Sequence, residues 1–278
     1  CNRKRRIDRP AASARTTRAV GFCVFFKEGQ VALPAKISPH APEREKGALV
    51  TDILLLEKDF LIVRKPAGIP TQPDPSGDKD LMTFTAETLR ARGEADGLYL
   101  IHRLDRTVGG LVVLARTPRG AKHLSELVRD RKITKEYLAV TDGIPAPEGK
   151  FFDYLYKDAA KGKSYAVSSE RRGTKPAELT YRRLAEGEGK ALVAVRLLTG
   201  RHHQIRVQFS SRGMPLAGDK KYGSRDNCPV ALYAAHLSFS YDGRTVDLFD
   251  LPRTEEYPWS LFSERLTPDV FCLAEGEL

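Results

Sequence analysis

The stretch Leu98-Tyr99-Leu100-Ile101-His102-Arg103-Leu104-Asp105-Arg106-Thr107-Val108-Gly109-Gly110-Leu111-Val112-Val113-Leu114-Ala115 sets two short apolar runs on either side of a polar loop. Runs of this length are too short for stable helices and suit buried strands, here Leu98 to Ile101 and Leu111 to Ala115. Asp105 therefore falls in a loop between strands, with Arg103 and Arg106 close to it in the chain. A neighbouring guanidinium favours the ionised carboxylate, the form that a nucleophile or a base requires. The same residues also fit an Arg–Asp pair with a structural role alone.

Downstream, Thr117-Pro118 supplies an N-cap and a first-turn proline for a helix with Ala121, Leu124, Leu127 and Val128 on one face. A strand from Thr134 to Val140 follows, with Leu138 and Val140 on one side and Tyr137 and Ala139 on the other. Glu178 to Leu184 and Ala191 to Leu198 flank Glu186-Gly187-Glu188-Gly189 as an antiparallel hairpin. Thr199-Gly200 breaks the second of these strands, and His203 to Ser210 suits a short helix closed near Gly213. Asp242-Gly243 closes a last hairpin between Leu232–Ser240 and Thr245–Leu251. Upstream, Ile53 to Leu56 and Phe60 to Val63 read as strands, and Asp80 caps a helix that runs to about Ala91 before Gly93. Strands outnumber helices and hairpins outnumber crossovers, which predicts an α+β domain on a mostly antiparallel sheet with a few flanking helices.

The chain has 278 residues and a formal net charge of +10. Residues 1–50 hold 11 Lys and Arg against 4 Asp and Glu, so residues 51–278 carry only +3 of that excess. The charge excludes an acidic solubilising chain and permits a polyanionic partner. Residues 1–50, opened by Arg3-Lys4-Arg5-Arg6, are expected to be a basic, disordered arm, and residues 51–278 the catalytic domain. The four cysteines form no C-x-x-C pair, which argues for a reducing, cytoplasmic setting. No apolar run approaches the ~20 residues of a membrane-spanning helix.

Three further segments carry polar chemistry. Thr199-Gly200-Arg201-His202-His203-Gln204-Ile205-Arg206 crowds donors around a helix start, and such a cluster is not buried without an anion or a carboxylate to satisfy it. Adjacent histidines are expected to point to different sides of a helix or strand, and no Asp or Glu sits near them in sequence, so no metal site is expected. Gly218-Asp219-Lys220-Lys221-Tyr222-Gly223 reads as a glycine-bounded turn with Asx hydrogen bonding. Tyr137 on its strand would by itself only pack.

Taken together and in order, these segments resemble the RluA-type family of RNA pseudouridine synthases. The resemblance runs from about Asp52 to Phe249 and rests on Phe60 to Pro70 with its Lys65-Pro66-Ala67-Gly68, on His102-Arg103-Leu104-Asp105, on Lys135-Glu136-Tyr137-Leu138-Ala139, on the T-G-R-x-H-Q-I-R pattern of Thr199 to Arg206, and on Gly218-Asp219 with Tyr222-Gly223. Where the family continues H-R-L-D-x-x-T-S-G, this chain has Val108-Gly109 in place of the Thr-Ser pair. The resemblance implies a pseudouridine-synthase-like fold with a central active-site cleft in a mixed, mostly antiparallel sheet. It implies catalysis by Asp105, with Arg206 paired to it and Tyr137 stacked on the uracil as a candidate relay for the C5 proton. Arg103 would fill the space left by a flipped nucleotide or hold the flipped strand, and Lys65, Arg201 and Lys220 would hold the RNA backbone.

The chemistry is consistent with one carboxylate. Moving uracil from an N1 to a C5 link on the same ribose cleaves a glycosidic bond, turns the base, reattaches it and loses the C5 proton, with no redox change and no hydrolysis. An ionised carboxylate starts this by attacking C1′ or by removing the C2′ proton, whereas glycoside hydrolysis calls for two carboxylates. The expectation is thus a cofactor-free, metal-free monomer that modifies uridines in structured ribosomal or transfer RNA. Its rivals are an RNA-binding relative without catalysis and a nucleoside hydrolase that would release free uracil.

Overall fold

The computed structural model describes residues 51–267 and 270, so the basic arm expected over residues 1–50 lies outside the described residues. β1 (Asp52–Leu56) and β2 (Phe60–Lys65) pair antiparallel. α1 (Leu81–Ala91) begins at Asp80, whose carboxylate accepts the amides of Met82 and Thr83 and so satisfies donors that the first turn cannot use internally. β3 (Tyr99–Leu100) is shorter than the strand expected over Leu98–Ile101, while β4 (Gly109–Ala115) starts earlier than Leu111. α2 (Pro118–Arg129) has the Thr117 cap and the leading proline that its sequence announced.

β5 (Thr134–Asp142) is followed by two strands that the sequence reading did not assign, β6 (Glu148–Asp158) and β7 (Lys163–Val167). β8 (Thr174–Gly187) and β9 (Lys190–Leu197) form the expected hairpin, α3 (Gln204–Ser210) the expected short helix, and β10 (Leu232–Tyr241) and β11 (Arg244–Phe249) the closing hairpin.

All eleven strands belong to one sheet in the order β1-β2-β4-β10-β5-β9-β8-β6-β7, with β3 on β4 and β11 on β10. β10 runs antiparallel to β5 and parallel to β4, the one parallel pairing among the described strands. The α+β reading on a mostly antiparallel, mixed sheet therefore holds. At the parallel junction β10 lies against Gly110, where φ is +115° and a Cβ would stand 2.2 Å from the Ala234 carbonyl oxygen, so only glycine fits.

Helices divide the two faces. α1 and α3 pack Leu81, Ile205 and Phe209 on the face formed by Val63, Val112, Tyr137, Ala139 and Val193. α2 places Leu124 and Leu127 on the reverse, against Ile62, Leu111 and Val113. The opposed faces expected for β5 are seen, since Leu138 and Val140 join Trp259 and Phe262 on the side away from Tyr137. Among the described residues, no helix is long and apolar enough to cross a membrane.

The β5–β10–β11 seam carries a buried charge cluster. His236 lies with Nδ1 2.6 Å from Glu136 and Nε2 2.6 Å from Asp247, and Arg196 donates to the other Glu136 oxygen at 2.8 Å. Burial opposes the imidazolium, but the two carboxylates outweigh it and raise the His236 pKa above its ordinary value of 6.5. A raised folded pKa means that the stabilisation is complete below the unfolded value and is lost as pH climbs through the folded one. Thermal melts between about pH 6 and about pH 9 should therefore fall more steeply for the parent than for His236→Gln. Parallel curves would show that the cluster does not titrate in this way.

Candidate active site

Asp105 is set by a loop pinned from three sides. Thr71 Oγ1 donates to the Leu104 carbonyl at 2.8 Å and accepts the Leu104 amide at 3.2 Å. The Gly68 amide donates to the Arg106 carbonyl at 2.8 Å, and the Val108 amide closes back on the Asp105 carbonyl at 3.0 Å. Beneath the loop, Lys65 Nζ donates to the carbonyls of Pro66, Ile69 and Arg106 at 3.0, 2.7 and 3.2 Å. An ammonium has three protons and here meets three backbone acceptors that burial would otherwise leave orphaned. Burial draws its pKa down to about 7, although the Asp105 charge works the other way. Lys65 is fully buried, so it cannot grip an RNA phosphate as expected; it is a buried post that ties the 66–69 turn to the Asp105 loop.

The guanidiniums beside Asp105 in the chain are not its partners in space. Arg106 turns to the 68–78 loop, donating to the Gly68 carbonyl and the Ser76 hydroxyl, both at 2.9 Å, and pairing with Asp78. Arg103 is exposed in the cleft wall and makes no hydrogen bond or ion pair with a described residue. The charge beside Asp105 comes from Arg206, a hundred residues on in the chain, with Nη1 3.2 Å from Oδ2. His203 Nε2 lies 3.6 Å from the same oxygen.

Arg206 is itself held by Asp219, which accepts Nε at 2.7 Å and Nη2 at 2.8 Å in a fork that is almost wholly buried. Burial works against the guanidinium, and the Asp219 and Asp105 carboxylates together more than offset it, raising its pKa. The donor-rich segment thus finds the carboxylates that its burial demanded, one from the Asp105 loop and one from the Gly218–Gly223 turn, whose sequence on its own reads only as an Asx loop. The signal available for Asp219 was that unmet demand, together with its fixed place before Tyr222-Gly223.

The two histidines depart from expectation. His203 has φ 55°, a left-handed conformation that swings its ring onto that of His202, with centroids 3.7 Å apart. Adjacent side chains diverge only when the backbone is regular, and here it is not. Val108 and Gly109 also have a physical account. Val108 is buried in the core, and a Cβ on Gly109 would stand 3.1 Å from the Tyr233 ring, which occupies the space a serine would need.

Asp105, Tyr137 and Arg206 line one cleft of about 780 Å³, a size that holds a nucleotide. Tyr137 is 7% exposed in its wall, and burial, reinforced by the Asp105 charge, raises its pKa and keeps the phenol protonated. Arg103, Arg129, Arg131, Lys135, Lys157 and Arg201 also line the cleft, giving it a basic character suited to a polyanion. Arg201 reaches the site as expected, its Nε donating to the Pro176 carbonyl at 2.9 Å. Lys220 is exposed but does not line the cleft; its Nζ donates to Asn227 Oδ1 at 2.8 Å. The sequence does not single out Arg129, Arg131 or Lys157; the signal for Arg129 is its position off the apolar face of α2, and Arg131 follows just after the helix end.

Comparison with known proteins follows the same line. Residues 59–211 match the family described as RNA pseudouridylate synthase. Ribosomal large subunit pseudouridine synthase D of Zymomonas mobilis is 30% identical over 228 residues, covering 75% of this chain and 71% of that protein. Ribosomal large subunit pseudouridine synthase C of Escherichia coli (strain K12) is 32% identical, covering 74% and 67%. Among solved structures, human RNA pseudouridylate synthase domain containing 4 superposes with a TM-score of 0.64 at 26% identity, covering 77% of this chain and 93% of that chain. Human RNA pseudouridylate synthase domain containing 1 shares the fold at 24% identity, with a TM-score of 0.63 over 78% of this chain and 89% of that one.

Proposed function

Because the chain belongs to the RNA pseudouridylate synthase family and is an RNA pseudouridine synthase, an isomerase, we propose that its substrate is ribosomal RNA and that Asp105 begins the reaction. The observation that carries the catalytic part is the Asp105 carboxylate, partly open to the cleft and 3.2 Å from the buried Arg206 guanidinium. The substrate class is supported by the relatives, which are ribosomal large subunit pseudouridine synthases. Residues 51–278 serve as the catalytic domain in this reading, and the basic residues of 1–50 add phosphate contacts.

The reaction requires that the N1–C1′ bond breaks, the uracil turns, C5 bonds to C1′, and the C5 proton leaves while N1 gains one. Asp105 supplies the electron pair for the first step, at C1′ or at the C2′ proton. Arg206 orients that carboxylate in a site that the bound base dries out. Tyr137 stacks on the base. On either route the Asp105 carboxylate is regenerated when C5 bonds to C1′, and the C5 proton leaves after that, from a base held against the buried, protonated Tyr137 phenol.

Arg103, exposed in the cleft wall and unpaired among the described residues, is the side chain we assign to the displaced strand, and Arg201 lines the same cleft. Arg103→Ala should weaken RNA binding and reduce the slope of log affinity against log salt by roughly 0.7 to 0.9, the loss of one phosphate contact. Lys220→Ala should leave that slope where it was. An unchanged slope for the first variant would remove Arg103 from the interface. The overall assignment is tested by mapping pseudouridine in total RNA from cells with and without this protein. Loss of a ribosomal site supports it, loss only in transfer RNA reassigns the substrate, and release of free uracil by the purified protein would mean hydrolysis.

A further inference from the structure

Both partners of Asp105 sit on one of its two oxygens. Arg206 Nη1 is 3.2 Å and His203 Nε2 3.6 Å from Oδ2, while Oδ1 has no hydrogen bond with a described residue. What His203 presents to that oxygen depends on where its single proton resides. Burial, then the nearby Arg206 charge, lower its pKa to about 2, so the ring is neutral.

The far side of the ring decides the tautomer. Tyr222 Oη accepts the Ser164 amide at 2.9 Å, which leaves the phenol proton for His203 Nδ1, also at 2.9 Å. With Nδ1 as acceptor, the imidazole proton is on Nε2, facing Asp105. The other tautomer would direct a lone pair at a carboxylate. The ring is fixed in this attitude by the left-handed backbone at His203 and by the His202 ring stacked on it, and His202 Nδ1 is in turn 2.9 Å from the Ser164 hydroxyl. One residue of β7 thus braces both rings.

We propose that His203 is a positioning residue: with its proton on Nε2, set there by Tyr222, it donates to Asp105 Oδ2 once a nucleotide fills the cleft, and Oδ1 is the oxygen that reacts. Catalytic hydrogen bonds are commonly long in an empty site and shorten when substrate binds. This deepens the assignment of Asp105 made above and rests on it.

The tautomer is read directly by two-bond proton–nitrogen NMR on the full-length protein with labelled histidine. A protonated Nε2 and a bare Nδ1 at His203 are expected, and a proton on Nδ1 overturns the proposal. Tyr222→Phe should blur that signature and lower kcat roughly tenfold with little change in KM. A second pair of variants separates positioning from backbone strain. His203→Gln can place an amide N–H near the Nε2 position, whereas His203→Asn reaches only the Nδ1 position, so kcat should be roughly tenfold higher for Gln. Left-handed backbone favours Asn, so strain alone gives the reverse order. Equal or reversed rates overturn the proposal. If the parent protein forms no pseudouridine, the reading of Asp105 fails, and the tautomer spectrum still decides the state of His203.

Discussion

Replacing Asp105 by Asn is expected to lower pseudouridine formation on the order of 10⁴-fold or more, because the side chain keeps its shape and loses the electron pair that starts the reaction in the proposed mechanism. The amide oxygen can still accept from Arg206 Nη1, so the cleft should stay assembled. RNA affinity should hold or rise, since most of it comes from phosphate contacts and the substitution removes a negative charge from a basic cleft. The reaction itself offers the readout. The C5 hydrogen leaves during isomerisation, so tritium released from RNA labelled at uridine C5 counts turnovers, and fluorescence anisotropy measures binding. A variant as active as the parent would remove Asp105 from the chemistry, and one that neither binds nor reacts would point to a collapsed site.

The second large effect is on Asp219. Truncating it to Ala leaves the Arg206 guanidinium buried without the fork that holds it, and breaking a buried pair in this way costs about 3–5 kcal/mol. For a domain of this size the melting temperature should fall by roughly 10 °C. Activity should fall as well, because Arg206 no longer has a fixed point from which to hold Asp105. These two losses separate in a double variant. Asp219→Leu with Arg206→Met removes both charges, and substitutions of that kind are often neutral for stability. Urea unfolding should recover most of the lost stability while tritium release stays low. If the double variant is no more stable than Asp219→Ala, then an uncompensated charge is not what destabilises it.

Much of the molecule was legible where local chemistry decides the outcome. Asp80 and Thr117-Pro118 mark helix starts because the cap satisfies donors within three residues of itself, with no help from the rest of the fold. The faces of β5 follow from strict alternation, which gave Tyr137 its side. What escaped depends on distant partners. Lys65 reads as a surface cation because backbone carbonyls, its three acceptors, leave no mark in a sequence. Arg106 reads as a partner of Asp105 because the two are adjacent, yet the 68–78 loop competes for it. β6 was missed because its burial is one-sided and broken by charges, as in Glu148-Gly149-Lys150-Phe151-Phe152-Asp153. The meeting of His203 with Asp105 needs a left-handed residue that composition does not signal.

The place of β10 has a bearing on how the enzyme is made. A ribosome delivers β1 to β4 and then β5 to β9 before Leu232 emerges, yet the strand that joins these halves is the tenth. Until it arrives, β5 and the Gly109–Gly110 end of β4 are open edges with unmet backbone groups, and Asp105 and Tyr137 belong to separate pieces. Pairing across so long a stretch of chain is slow compared with hairpin closure. With Asp105 and Tyr137 in their proposed roles, a nascent polypeptide is therefore catalytically silent until β10 has inserted, and that late insertion is also the interval in which it is most open to mispairing with its neighbours.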